Sequence, residues 1–245
     1  MEIALEVRNV SLSMDSRVIF RGLNFQIRKG EAFFILGTSG SGKSLLIRMC
    51  AGLVFPDEGS VGVRGTELAT ASKEMLQRLR TGIGYVSQGS GLISNMAAYD
   101  NVALPLRYHT GLDEAEVGRK VEEKMALFGV DRDFDRSIPA QLSLEMQKKV
   151  ALARAFVLDP ELLLLDQPTS GLDSGKGQAL ATVIREYQRE KGASLLEVSS
   201  EWPPFGPPFD RNGVLEGGRV GAEGSAEEIQ AYIERTKKTE LLVKE

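Results

Sequence analysis

Eight consecutive residues, Gly37-Thr38-Ser39-Gly40-Ser41-Gly42-Lys43-Ser44, follow the spacing G-x-x-x-x-G-K-[ST]. Each residue type has a chemical reason to be there. Glycines lacking Cβ let backbone N–H groups converge on phosphate oxygens. A helix beginning near Lys43 would aim its positive dipole end at the same place. Lys43 has the charge and reach for β- and γ-phosphates, and the Ser44 hydroxyl can ligate Mg²⁺. The residues from Gly37 to Leu45 therefore read as a site for a nucleoside triphosphate with Mg²⁺. A Gly/Ser linker would share the composition but not the flanking strand and helix.

A metal held by a hydroxyl and phosphates also needs an acidic ligand. Asp166 ends the apolar run Leu162-Leu163-Leu164-Leu165. Many buried strands end in aspartate, so this signal acquires meaning only beside the glycine loop.

The surrounding elements must bring these residues together. Residues 3 to 36 read as short strands separated by turns: Ile3, Leu5 and Val7 alternate with Ala4, Glu6 and Arg8, and Leu23, Phe25 and Ile27 alternate again. The run Ala32-Phe33-Phe34-Ile35-Leu36 reads as a buried strand feeding the loop. Leu45 to Ala51 reads as a helix closed by Gly52. Residues 88 to 159 read as a mostly helical insertion. Val117, Val121 and Met125 lie four apart within Asp113–Gly129, and Asp113 with Glu116 makes a capping pair. A second helix is expected from Ser143 to Leu158. The strand at 161–166, a helix at about 174–191 and a strand at about 194–198 are βαβ patterning. Strands near 213–222 and a helix at about 225–235 end the pattern. Pro203, Pro204, Pro207 and Pro208 interrupt it, and a rigid loop is expected there.

Bulk properties limit the alternatives. The 245 residues, 42% hydrophobic and 26% charged, suit a soluble globular protein of one large domain or two closely joined lobes. A net charge of −4 does not point to nucleic acid as the main partner. The lone Cys50 forms no internal disulfide, as suits a reducing compartment. Met1 to Val10 lacks the apolar core of a signal peptide, and no stretch reaches the ~18 apolar residues of a membrane span. Any membrane part is expected on other chains.

With the loop and Asp166 in place, the sequence resembles the nucleotide-binding subunits of ABC transporters over nearly its whole length. Gln88 stands at the Q-loop glutamine. Gln141-Leu142-Ser143, before Ala151-Leu152-Ala153-Arg154-Ala155, stands at the signature, and Asp166 is the Walker B aspartate. Ser170-Gly171-Leu172-Asp173 matches the D-loop, and Gly217-Gly218-Arg219 with Gly224 to Ile229 matches the C-terminal strand and helix. The resemblance implies an α/β P-loop NTPase fold: a RecA-like core with an N-terminal antiparallel β subdomain and an inserted α-helical subdomain. Residues 1–245 would be one domain, with 1–87 and 160–245 as nucleotide-binding core and 88–159 as helical subdomain. It implies ATP as nucleotide, Mg²⁺ on Ser44, Gln88 and Asp166, and Ser143 against the nucleotide of a second ATPase subunit. It also implies a permease partner and a cytoplasmic location at the inner face of the cell membrane. The segment Tyr99 to Thr110, containing Asn101-Val102-Ala103-Leu104-Pro105-Leu106-Arg107, is similar to the ATPases of Mla/MCE-type lipid transporters. That narrower likeness adds lipid transport and an MCE-domain partner. His109, the sole histidine, reads as a surface residue, and Leu92, Ile93 and Met96 read equally as core or permease contact.

Four departures bear on catalysis. Gln167 follows Asp166 where the family has glutamate. Its amide can bond a water but cannot take its proton, and general-base help is typically ~10² to 10⁴ in rate. Ser200 occupies the family's histidine position. Leu144-Glu145 replaces the two signature glycines. A like charge ~4 Å from a phosphate costs ~1 kcal/mol in water and ~4 at an effective dielectric of 20. Met14 falls where an aromatic usually stacks on adenine, and packs less specifically. The expected activity is ATP-driven closure of two subunits with slow or absent hydrolysis. The alternative is a subunit that binds nucleotide to assemble or lock a complex.

Overall fold

The computed structural model describes residues 2–202 and 208–236. The proline-rich loop expected from Pro203 to Pro208 lies almost wholly outside these residues.

The chain opens with two 12-residue strands, β1 (Ile3–Met14) and β2 (Arg17–Arg28), paired antiparallel. These replace the short strands expected over this stretch. Irregular register at several points lets long strands carry a broken hydrophobic alternation, and Ala4 is buried beside Leu5. After β3 (Ala32–Leu36) and α1 (Lys43–Cys50) come β4 (Glu58–Val63) and β5 (Thr66–Glu67), which complete a four-stranded sheet in the order β2-β1-β4-β5.

The second sheet holds the chemistry. Its further strands are β6 (Ile83–Val86), β7 (Leu162–Asp166), β8 (Ser194–Ser199), β9 (Arg211–Glu216) and β10 (Arg219–Gly224). The order is β10-β9-β3-β8-β7-β6, parallel except at the β9–β10 hairpin. β3 and β7 are buried along their whole length, which is why they read as unbroken apolar runs. Alternation survives within those runs. Phe33, Ile35, Leu164 and Val198 enter the core beneath the antiparallel sheet, while Leu163, Leu165 and Leu195 enter the core on the opposite face.

Helix α2 (Lys73–Thr81) precedes β6, and α3 (Ala98–His109), α4 (Glu114–Leu127) and α5 (Leu144–Phe156) lie between β6 and β7. The α4 start carries the expected capping box, with Asp113 accepting from the Glu116 amide at 2.8 Å and Glu116 accepting from the Asp113 amide at 3.2 Å. Val117, Val121 and Met125 pack against Val150 and Phe156 of α5 in one core. Helix α6 (Ser174–Lys191) follows β7, and α7 (Ala226–Arg235) follows β10.

Candidate functional site

The parallel strands end level with one another. Leu36 pairs with Ser199 and Val214, Asp166 with Val198, and Val86 with Leu165. The loop after β3, the turn after β7, Ser200 after β8 and Gln88 after β6 therefore open onto one edge of the sheet. The carboxyl ends of parallel strands at a reversal of strand order form a natural crevice for ligands.

Two glycines show why the loop has its sequence. A Cβ at Gly37 would stand 2.6 Å from Ser41 Oγ, and Gly42, the α1 N-cap, has φ 97° with Ile19 2.7 Å from any added Cβ. Lys43 is only 5% exposed, and its ammonium donates to the carbonyls of Gly37 at 2.6 Å and Thr38 at 2.7 Å. The loop thus folds around its own lysine. Burial lowers the Lys43 pKa, and Asp166 opposes that shift.

Asp166 is also buried. Desolvation raises its pKa; Ser44, Lys43, the Gln88 backbone and Gln167 pull it back. Its Oδ1 has no hydrogen-bond partner. An orphaned carboxylate oxygen beside a serine hydroxyl fits a small hard cation, which takes oxygen ligands and one or two carboxylates together with phosphates. Among the described residues no cluster of three or more His, Cys, Asp or Glu forms an all-protein metal cage.

A cavity of about 360 Å³ is lined by Ile19, Ser39, Gly40, Gly42–Leu45, Gln88, Gln167 and Ser200. A second, of about 340 Å³, adjoins it across Ile19, Ser39 and Gly40, and adds Arg17, Val18, Thr38, Ser41 and the β9–β10 turn. Met14 lines neither. It sits before the β1–β2 turn, paired with Arg17 and 46% exposed, and the wall next to it is formed by Arg17, Val18 and Ile19 of β2. Arg17, Val18 and Ile19 carried no signal of their own, beyond following the position where an aromatic was sought.

Gln167 and Ser200 meet. The Ser200 hydroxyl donates to Gln167 Oε1 at 3.0 Å. Gln167 has φ 51°, the left-handed region that costs a side-chain-bearing residue of order 1–3 kcal/mol. Its N–H donates to Val198 at 2.9 Å, and its carbonyl accepts from Ser170 Oγ at 3.0 Å and from Lys148 at 3.2 Å. Lys148, a buried cation, had no signal in the sequence beyond an otherwise ordinary helix.

Ser143 lies apart from these cavities. It caps α5, accepting from the Met146 amide at 3.2 Å. Leu144 beside it is 50% exposed. Glu145 is not a bare charge: Lys149 at 2.8 Å and Lys176 at 3.0 Å pair with it and hold its carboxyl below the usual range. The electrostatic penalty expected from Glu145 is reduced accordingly.

The 90–110 segment is built largely for itself. Buried Asn101 donates to the carbonyls of Ile93, Met96 and Ala97 and accepts from the Ile93 amide at 2.8 Å. Arg107 pairs with Asp100 and Glu114. Leu92 packs against the helical core, Met96 is half-buried, Ile93 is exposed, and His109 is exposed.

Residues 20–170 match the model of the family described as ABC transporter. The chain is 37% identical over 199 residues to the probable ribonucleotide transport ATP-binding protein mkl of Mycobacterium leprae, covering 81% of this chain and 57% of that protein. It is 36% identical over 211 residues to the methionine import ATP-binding protein MetN of Bordetella pertussis, covering 86% and 58%. The chain thus spans little more than half the length of these curated relatives. Among solved structures, the dimeric bacterial ABC transporter cassette MJ0796 superposes with a TM-score of 0.82 at 27% identity, over 90% of this chain and 98% of that one. A dimeric post-hydrolysis form of the same cassette, bound to ADP and Pi, gives 0.81 at 28% identity.

Proposed function

The chain belongs to the ABC transporter family, and we propose on that footing that it is the ATP-binding subunit of such a transporter, built to hold Mg-ATP and slow to hydrolyse it. The observation that carries this reading is the single cavity in which Lys43, Ser44, Gln88, Gln167 and Ser200 meet, with the orphaned Oδ1 of Asp166 behind it.

On this reading, loop N–H groups and the α1 N-terminus bind the phosphates, and Lys43 exchanges its two carbonyl partners for phosphate oxygens. Ser44, Asp166 and Gln88 hold Mg²⁺, whose charge offsets that of the phosphates. Val18 and Ile19 pack against the base. Gln167 can orient a water but has no lone pair basic enough to take its proton. Ser200 donates to Gln167, so part of the capacity for holding water is spent within the protein. Hydrolysis is slowed by about 10² to 10⁴ relative to a carboxylate at 167.

We further propose that two such domains close on ATP and pass the motion to a permease at the inner face of the membrane. Ser143 would face the partner's nucleotide, and exposed Ile93 the permease. The Tyr99–Thr110 segment favours a lipid-transport system with an MCE-domain protein. The names of the relatives, one a ribonucleotide and one a methionine system, leave the cargo class to experiment. Copurification with a permease and an MCE-domain protein is the expected result; a sugar- or metal-importer permease would overturn the lipid assignment.

The Ser200–Gln167 bond favours a second reading, a non-hydrolysing subunit that locks a complex when ATP is bound. Turnover in Gln167→Glu separates the two. Hydrolysis gained by that variant supports the transporter reading, and ATP binding without turnover in either form supports the lock.

A further inference from the structure

Lys148 lies on α5, five residues after the cap Ser143, yet its ammonium reaches the carbonyls of Gln88 and Gln167, two residues that line the cavity. It is 3% exposed and donates to three acceptors: the Gln167 carbonyl at 3.2 Å, the Ser170 hydroxyl at 3.4 Å and the Gln88 carbonyl at 3.5 Å. None of these contacts is short, but a buried ammonium needs all of them, because an unpaired charge in the interior costs several kcal/mol. The three acceptors belong to two segments, the exit of β6 and the turn after β7, which also meet where the Gln88 backbone bonds Asp166. The helix that supplies the lysine packs within the helical core rather than the core under the antiparallel sheet. Arg154, two turns along α5, donates to the Ser90 carbonyl at 3.2 Å and to Asn101, so the same helix also grips the segment leading from Gln88.

We propose that Lys148 is a positioning residue that couples the orientation of α5 to the phosphate site. Its ammonium fixes the carbonyl of Gln167, whose left-handed backbone decides where the 167 side chain points, and holds Gln88 in register with it. A rotation of the helices around α5 draws Lys148 away from both carbonyls. Nucleotide that orders Gln88 and Gln167 conversely holds Lys148, and so α5, in place. Coupling of this kind is reciprocal and typically about 5- to 150-fold. The inference rests on the nucleotide-binding reading given above, and it names the physical link through which that site communicates with the helical insertion.

The test is hydrogen exchange by mass spectrometry on the full chain, with and without saturating Mg-ATP, for the parent, Lys148→Met and Lys148→Arg, with Mg-ATP affinity measured in parallel. The parent is expected to show ATP-dependent slowing of exchange in residues 144–156 by about fivefold or more. Lys148→Met is expected to bind Mg-ATP within about threefold of the parent and to lose that slowing, while Lys148→Arg regains most of it. Lys148→Gln replaces the methionine variant should that one fail to fold, with the same loss expected. Equal ATP-dependent slowing in parent and Lys148→Met overturns the proposal. So does a parallel collapse of affinity and of slowing throughout the core, which would make Lys148 a general folding residue. A parent that binds no Mg-ATP overturns the functional reading and this inference together, and the affinity titration shows it directly.

Discussion

On the proposed reading, Lys43 and Gln167 divide the site between holding and cleaving. Lys43 is buried and ready, its ammonium parked on two carbonyls of its own loop, so Lys43→Ala removes a charged donor where phosphates would sit. Hydrogen bonds to charged groups are worth about 1.5–3 kcal/mol, so ATP affinity should fall by about 10- to 100-fold in a fluorescent-nucleotide titration. An unchanged affinity would place the nucleotide elsewhere. Gln167 and Ser200 bond each other, and restoring only the base leaves Ser200 short of the reach of a histidine. Turnover should therefore rise in Gln167→Glu and rise again in Gln167→Glu with Ser200→His. A double variant no faster than the single one would mean that Ser200 does not limit the chemistry. The loop and Asp166 were legible in the sequence because local geometry dictates their types. The Gln167–Ser200 bond, Lys148, and the Arg17–Ile19 wall were not, because each depends on residues brought together by tertiary contact. Met14 lies across the β1–β2 turn from that wall, paired with Arg17.

Elements were legible where burial or capping wrote a strong pattern. The strands β3 and β7 have both faces covered, and α4 carries a capping box. Asp113→Ala should cost about 1 kcal/mol, lowering Tm by about 2–4 °C in a chain of this size. Calorimetry checks this, and an unaltered Tm would mean the cap is replaceable by water. The strands β4 and β5 and the helix α2 escaped notice for opposite reasons: β4 contains two glycines in six residues, and α2 buries only Leu79. Pro105 within α3 obscured that helix, since it withholds one backbone donor. Strand β8 contains an element-level oddity. Glu197, 5% exposed between β3 and β7, has its pKa pushed up to about 7 by desolvation, with Arg185 opposing. Its folded pKa exceeds its unfolded value near 4.5, so its stabilising contribution is complete below pH 4.5 and is lost as pH rises through 7. Relative to the parent, Glu197→Gln should gain stability between pH 5 and pH 8, by a few kcal/mol at about 1.4 per pKa unit. Denaturant melts at the two pH values test this; a constant difference would contradict it.

In the molecule as a whole, every residue proposed to touch phosphate or metal lies at one edge of the parallel sheet, and Ser143 lies on α5 away from it. The proposed sharing of sites between two such domains would need that separation, and Leu144 with the bridged Glu145 would then offer a partner's site an apolar, charge-balanced surface rather than bare backbone. The central claim is that the cavity holds Mg-ATP and cleaves it slowly. The most direct measurement is ATP binding and steady-state hydrolysis on the purified chain beside Gln167→Glu. The account predicts saturable Mg-ATP binding by both, with the parent at least about 10²-fold slower in hydrolysis than the variant. Hydrolysis by the parent as fast as by the variant, or no binding by either, would contradict it.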